Sequence, residues 1–165
     1  MIAPALPPAP ERLPVATTDA HTHLASTATK TGVGVADLLE RAAAVGIDRV
    51  VDVGCDLPSS VGAVQEAQAH DAVIAAVAIH PHDAVELGDG LDEALRGVEA
   101  LLGSTDRIRA VGETGLDYYW VTDEPGRAVQ RDAFAAHIGW AREHDLALVV
   151  HDRDAHGDLL DVLDA

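Results

Sequence analysis

Basic and aromatic residues are scarce in this sequence, and cysteine is all but absent. Eleven Lys and Arg stand against 28 Asp and Glu, a formal net charge of −17, and Lys30 is the only lysine. Such a surface is soluble and repels polyanions in general. A phosphate-bearing substrate must then be held locally, by metals, arginines or helix N-termini, and not by a basic face. The single Cys55 excludes an intrachain disulfide framework and suits a reducing compartment; it reads as a small buried residue after a strand. Aromatics make up only 3% of the chain, so the core must rest on the Val, Leu, Ile and Ala that bring the apolar share to 48%. No window approaches the ~20 apolar residues of a membrane span. Residues 1–14 hold five of the eight prolines and no basic n-region. They read as an extended, poorly ordered lead-in and not as a signal peptide, which leaves cytoplasmic as the default location.

Beyond this lead-in, residues 15–165 read as one domain in which apolar runs of strand length alternate with helical stripes. Strands are expected over Val15–Leu24, Arg49–Val53, Val73–Ile79, Ile108–Val111 and Leu146–Val150, the fourth closed by Gly112-Glu113-Thr114-Gly115. Between them, Val35 to Ala43, Pro58 to His70, Leu91 to Leu102 and Val129 to Trp140 show helical spacing, and a fifth helix begins near His156. Continuous apolar strands separated by helices argue for α/β architecture with a parallel sheet, either an open doubly wound sheet or a (β/α)8 barrel. No Gly-rich phosphate loop follows the first strand, and His21, His23, His80, Glu113 and His151 all fall at strand ends, which favours the barrel. Five βα units are too few for eight, so a partial barrel with open, pairing-prone edge strands is expected.

The chemistry is concentrated at those strand ends. In Asp19-Ala20-His21-Thr22-His23 the alternate side chains share one face of a strand, about 7 Å apart, which offers two imidazoles as half of a metal site. Asp19 reads better as a supporting carboxylate than as a ligand. Glu113, between an apolar strand and two glycines, is costly to bury unless a cation or an arginine such as Arg109 or Arg153 pairs with it. His151 directly follows Leu148-Val149-Val150 and suits a neutral imidazole ligand. A carboxylate bridging two cations allows the ~3.5–4 Å spacing of two-metal phosphoester hydrolysis.

Asp19-Ala20-His21-Thr22-His23-Leu24, Ile79-His80-Pro81-His82, Gly112-Glu113-Thr114-Gly115-Leu116-Asp117-Tyr118-Tyr119 and Val150-His151-Asp152-Arg153-Asp154-Ala155 together resemble the successive signatures of the TatD family of metal-dependent deoxyribonucleases. The resemblance runs from Asp19 onward, in order and spacing. It implies a TIM barrel of the metal-dependent hydrolase kind, two divalent metals (Mg²⁺, Mn²⁺ or Zn²⁺) and DNA as substrate, with several members acting as 3′→5′ exonucleases on single strands. It also implies that His21 and His23 bind one metal, that Glu113 bridges, and that His151 binds the other. His80 is expected to line the cleft against substrate or the attacking water, or else to cap a helix. Arg153 is expected to neutralise a substrate phosphate, or else to pair with Asp117, Asp152 or Asp154. Tyr118, Tyr119 and Trp120 are expected to pack at the barrel rim in preference to stacking on a base. Asp152 stands where the family more often has a small polar residue, and it adds a negative charge beside the site. His70 and His82 read as structural or solvated.

The resemblance also implies a further His at the end of the next strand and an Asp in a Thr-Asp-x-Pro block near the last strands, and the five strands read here stop short of both. Two other readings therefore stand beside the nuclease: a catalytically incomplete barrel fragment that at best binds metal, and an amidohydrolase-like enzyme acting on an amide, a lactone or a base.

Overall fold

The computed structural model describes residues 6–165, so the first five residues of the expected lead-in lie outside the described residues. Residues 6–16 form no helix or strand, and the Leu13 N–H donates to the Val45 carbonyl at 2.9 Å. From there the chain alternates β1 (Thr17–Thr22), α1 (Leu24–Thr31), α2 (Val35–Ala44), β2 (Ile47–Val53), α3 (Leu57–Ala69) and β3 (Val73–Val77). It continues through α4 (Pro81–Glu86), α5 (Leu91–Glu99), β4 (Ile108–Asp117), α6 (Glu124–Glu143), β5 (Ala147–Arg153) and α7 (His156–Asp164).

The five strands form one sheet in the order β1-β2-β3-β4-β5, and every neighbouring pair is parallel. A doubly wound sheet reverses its strand order at a switch point, and this one does not. Right-handed crossovers that always step the same way put every helix on one face and turn the other face inward. The curl is large. β1 and β4 are three strand spacings apart, which in a flat sheet is about 14 Å, yet His21 Nε2 lies 3.1 Å from Glu113 Oε2. The fold is thus a curled half-barrel of five βα units, as the strand count predicts.

Burial follows from this geometry. On the helix side Val50, Val73, Ala75, Val77 and Val111 pack with Ala63, Val64, Ala67, Val98 and Ala133 into the main core. On the inner side Val53, Ala76 and Ala110 form a smaller layer with Val51 and Val149. Leu116, Phe134, Ile138, Ala155 and Leu159 fix α6 and α7 to the far end of the sheet. β3, with neighbours on both sides, is almost wholly buried, whereas β1 and β5 at the edges are largely exposed.

Two elements escape the sequence pattern. α1 is a Thr-rich segment with poor helix propensity, and it forms because Leu24 is buried and its N–H donates to Asp52 Oδ1 at 2.9 Å. α4 is a single short helix with Pro81 in its first turn, where the missing N–H costs nothing. The largest departure is β4. The expected strand stops at Val111, but the observed one runs on to Asp117 through both glycines. Its pairing with β5 shifts register between Val111 and Thr114, so Glu113 sits in a bulge that aims its side chain into the curl. Gly112 and Gly115 make this possible, with φ of 148° and 140°. A Cβ on Gly115 would lie 2.1 Å from the His151 carbonyl oxygen.

Candidate metal centre

Two clusters of metal-capable side chains meet at the carboxyl ends of the strands, and Glu113 belongs to both. His21, His23 and Glu113 form one, and His80, Glu113 and His151 the other, with ligand atoms in each cluster within 4.8 Å of one another. The Glu113 oxygens divide between them: Oε2 lies 3.1 Å from His21 Nε2 and Oε1 lies 2.9 Å from His151 Nδ1. Neither Arg109 nor Arg153 pairs with Glu113 among the described residues; its partners are imidazoles. The hydrogen bond from His151 is the main cause that holds the Glu113 carboxyl below its usual range, and the same bond raises the His151 imidazole above its own.

His23 and His151 are each oriented from behind. His23 Nδ1 lies 2.8 Å from the Val53 carbonyl, and a carbonyl can only accept, so Nδ1 carries the proton and Nε2 keeps its lone pair. The backbone turns at His23 into α1, and buried Asp52 anchors that turn through Leu24. His21 and His23 rings meet edge to face with centroids 5.1 Å apart, while Asp19 stays outside the clusters and accepts from the His21 N–H at 3.2 Å. His151 Nε2 lies 3.0 Å from Asp117 Oδ2. With a proton donated there, Nδ1 is the nitrogen that faces and hydrogen-bonds Glu113, and only by giving up its proton would it offer a lone pair to a cation.

Asp117 is the residue that motif reading undervalued. It is 1% exposed, and its other oxygen accepts from the Tyr119 and Trp120 N–H groups at 3.1 and 3.0 Å. The signal available in the sequence was its spacing from Glu113, four residues on, but that became informative only once β4 ran through both positions.

His80 caps a helix, as one of its two expected roles has it, and also lines the cleft. It caps α4, where its Nδ1 accepts from the His82 N–H at 3.2 Å, and its Nε2 lies 3.3 Å from His151 Nδ1. Because Nδ1 accepts, the neutral ring carries its proton on Nε2. In that tautomer His80 offers the cleft a donor and not a lone pair. Burial first, and then the neighbouring His151, lower its pKa to about 4. Cys55, half-buried beside the site, has its thiol pushed up to about 12 by burial, with Glu113 and other carboxylates adding to it, so it stays protonated and unreactive.

Arg153 pairs with no carboxylate among the described residues; its guanidinium lies 3.9 Å from the Tyr119 ring centroid. Of the three aromatics expected at a packed rim, only Tyr118 packs, bonded through its hydroxyl to Asp158 at 2.7 Å. Tyr119 and Trp120 are 53% and 60% exposed, because the Asp117 turn throws their rings outward.

α6 fixes the strand ends with two fully buried polar side chains. Gln130 accepts from the Asp117 N–H at 2.9 Å and donates to the Pro81 carbonyl at 3.2 Å. His137 Nε2 accepts from the Ile79 N–H at 3.0 Å, and its Nδ1 donates to Ala133 at 2.7 Å. Burial lowers the His137 pKa to about 4. Between about pH 6.5 and 4 the unfolded chain binds a proton here that the native state excludes, so stability is intact above that window and falls through it. The expected loss by pH 4 is roughly 3 kcal/mol from this one group. His137→Gln keeps one acceptor and one donor without titrating, so urea unfolding at pH 7 and pH 4.5 should show a smaller acid loss in the variant. An equal acid loss in both proteins would overturn this account.

The donor set fits divalent cations: imidazoles, two of them held by a group behind the ring, around one shared carboxylate. Comparisons with known proteins agree. Residues 18–165 match the family described as TatD related DNase. A protein of Mycobacterium tuberculosis named uncharacterized metal-dependent hydrolase TatD is 43% identical over 154 residues, which is 89% of this chain and 55% of the relative. A 3′-5′ ssDNA/RNA exonuclease TatD of Cronobacter sakazakii is 32% identical over 128 residues, 78% of this chain and 46% of that protein. The crystal structure of YJJV, a TatD homolog from Escherichia coli, superimposes with a TM-score of 0.77 at 24% identity, over 89% of this chain and 54% of the other. The chain spans about half the length of the relatives it matches. No helix among the described residues is long and apolar enough to cross a membrane. A curled parallel sheet, a histidine pair on β1 and a shared carboxylate in the β4 bulge are thus found together in a chain that belongs to the TatD-related DNase family of metal-dependent hydrolases.

Proposed function

We propose that the protein hydrolyses phosphodiester bonds of DNA, releasing nucleotides from the 3′ ends of single strands, with two divalent ions held by His21, His23, Glu113 and His151. The observation that carries this reading is the division of Glu113 between two imidazole clusters, which suits a carboxylate shared by two cations. Such a pair supplies a water acidified toward neutrality and neutralises charge on the phosphate. The chain's own groups supply the rest. His80 Nε2–H donates into the cleft, to a phosphate oxygen or to the attacking water. The Arg153 guanidinium, free of carboxylates, takes phosphate oxygens in pairs. Asp117 keeps His151 in the tautomer that a ligand needs. The homologue named as an ssDNA/RNA exonuclease supports a nucleic-acid substrate, the family description supports DNA, and the strongly acidic surface explains why the phosphate must be gripped at the site itself.

The test is release of labelled nucleotide from the 3′ end of a single-stranded oligonucleotide in Mg²⁺, Mn²⁺ or Zn²⁺. Release is expected with metal and its abolition with chelator. Absence of release with all three ions would refute the reading for this chain and favour the incomplete fragment. Amide hydrolysis without DNA cleavage would favour the amidohydrolase-like alternative.

A further inference from the structure

We propose that Trp120 and Tyr119, with Arg153, form a stacking subsite for the base of the nucleotide whose phosphate enters the metal centre. This inference deepens the phosphodiesterase reading and rests on it.

Three observations point there. First, aromatic surface is rare in this chain, and what there is of it outside the core is concentrated at one spot. Phe134 and Trp140 are buried, whereas Tyr119 and Trp120 are 53% and 60% exposed side by side, their rings edge to face with centroids 5.0 Å apart. Their exposure is built and not incidental: Asp117 Oδ1 holds both backbone N–H groups and so fixes the turn that carries the rings. Second, the Arg153 guanidinium lies 3.9 Å from the Tyr119 centroid and 5.8 Å from the Trp120 centroid, within cation–π reach of both, and with no carboxylate paired to it among the described residues its charge is left for an anion. In a chain of net charge −17, a cation placed this way at the mouth of an acidic site has a clear use. Third, the platform and the centre are continuous. An open cleft of about 450 Å³ is lined by Trp120 and Arg153 together with His80, His82, Asp83, Asp117 and His151. That volume falls within the range of small-ligand sites.

A base and its phosphate match this arrangement: a flat apolar face for Trp120 and a dianionic or monoanionic group for Arg153 and the centre. Every base has such a face, so the subsite reads no sequence. It makes the site tolerant of base identity yet intolerant of a missing base.

The experiment measures binding of a fluorescent phosphorothioate oligothymidylate and of its abasic counterpart, in Mg²⁺, to the full chain. The base-bearing strand should bind about tenfold or more tightly than the abasic one. Trp120→Ala should erase that difference and Trp120→Phe should keep most of it. Trp120 is largely exposed, so its replacement does not threaten the fold. Arg153→Gln should weaken both strands. Equal affinity for the two strands, or an equal loss for both on Trp120→Ala, overturns the stacking subsite, whatever the hydrolysis assay gives. Base-dependent binding that needs Trp120, in a chain that releases no nucleotide with any metal, leaves the subsite standing and overturns the phosphodiesterase reading instead.

Discussion

Glu113→Ala should abolish binding at both metal positions at once, not at one. Its two oxygens face different imidazoles across the curl, so no other side chain among the described residues supplies a carboxylate to either cluster. Loss of an outer supporting group typically weakens metal affinity by about 10- to 100-fold, and a shared ligand should cost at least the upper figure. Calorimetric titration of the wild-type chain with Mn²⁺ or Zn²⁺ should show two ions, and the variant none in the same concentration range. His23→Ala supplies the contrast. It touches one cluster only, and should lower the stoichiometry from two to one. If Glu113→Ala keeps one tight ion, the carboxylate is a ligand to a single metal and the bridging role is wrong.

Asp117→Asn should weaken metal binding by about 10- to 100-fold while leaving the fold nearly intact. The substituted amide keeps its oxygen for the Tyr119 and Trp120 N–H groups, which turns its NH₂ toward His151 Nε2. A donor there requires a lone pair on Nε2, so the neutral imidazole must move its proton to Nδ1, the nitrogen that faces Glu113. The ligand atom is thereby protonated by a change that removes no volume. Nitrogen chemical shifts of His151 should report the tautomer switch directly. Asp117→Ala is a different experiment: it strands two backbone N–H groups and should cost stability as well, about 1–3 kcal/mol for each group that water cannot reach. Unchanged metal affinity in Asp117→Asn would mean that Asp117 only shapes the turn.

How much of this was legible in the sequence depended on whether a feature is local or is made by tertiary contact. The placement of His21, His80 and His151 at or near the carboxyl ends of strands follows from apolar runs with polar closures, and the barrel-like order follows from their alternation with helical stripes. The extension of β4 through Gly112-Glu113-Thr114-Gly115 did not, because a glycine-rich quartet reads as a stop; only its neighbours show that the positive-φ glycines carry a bulge. α1 was hidden for the same kind of reason, its propensity being poor and its support lying in Asp52, 28 residues away. Gln130 and His137 sit on a helical stripe where core residues are expected, and nothing local tells a polar tie from a misplaced polar residue. Tyr119 and Trp120 illustrate the reverse error. Aromatic residues after a strand are usually packed, and only the hydrogen bonds to Asp117 reveal that these two are held out.

The curl of the sheet has a thermodynamic consequence. His21 and His151 belong to its two outermost strands, and Glu113 reaches both. Ions held by these residues would act as a clasp, closing a bent ribbon at its rim. Bending and loading are then a single equilibrium. Whatever binding energy the ions release is shared with the curvature, and at free metal about 100-fold above Kd the bent form would gain about 2.7 kcal/mol over any flattened or unfolded one. Metal supply would set not only whether the site works but how tightly this ribbon stays wound.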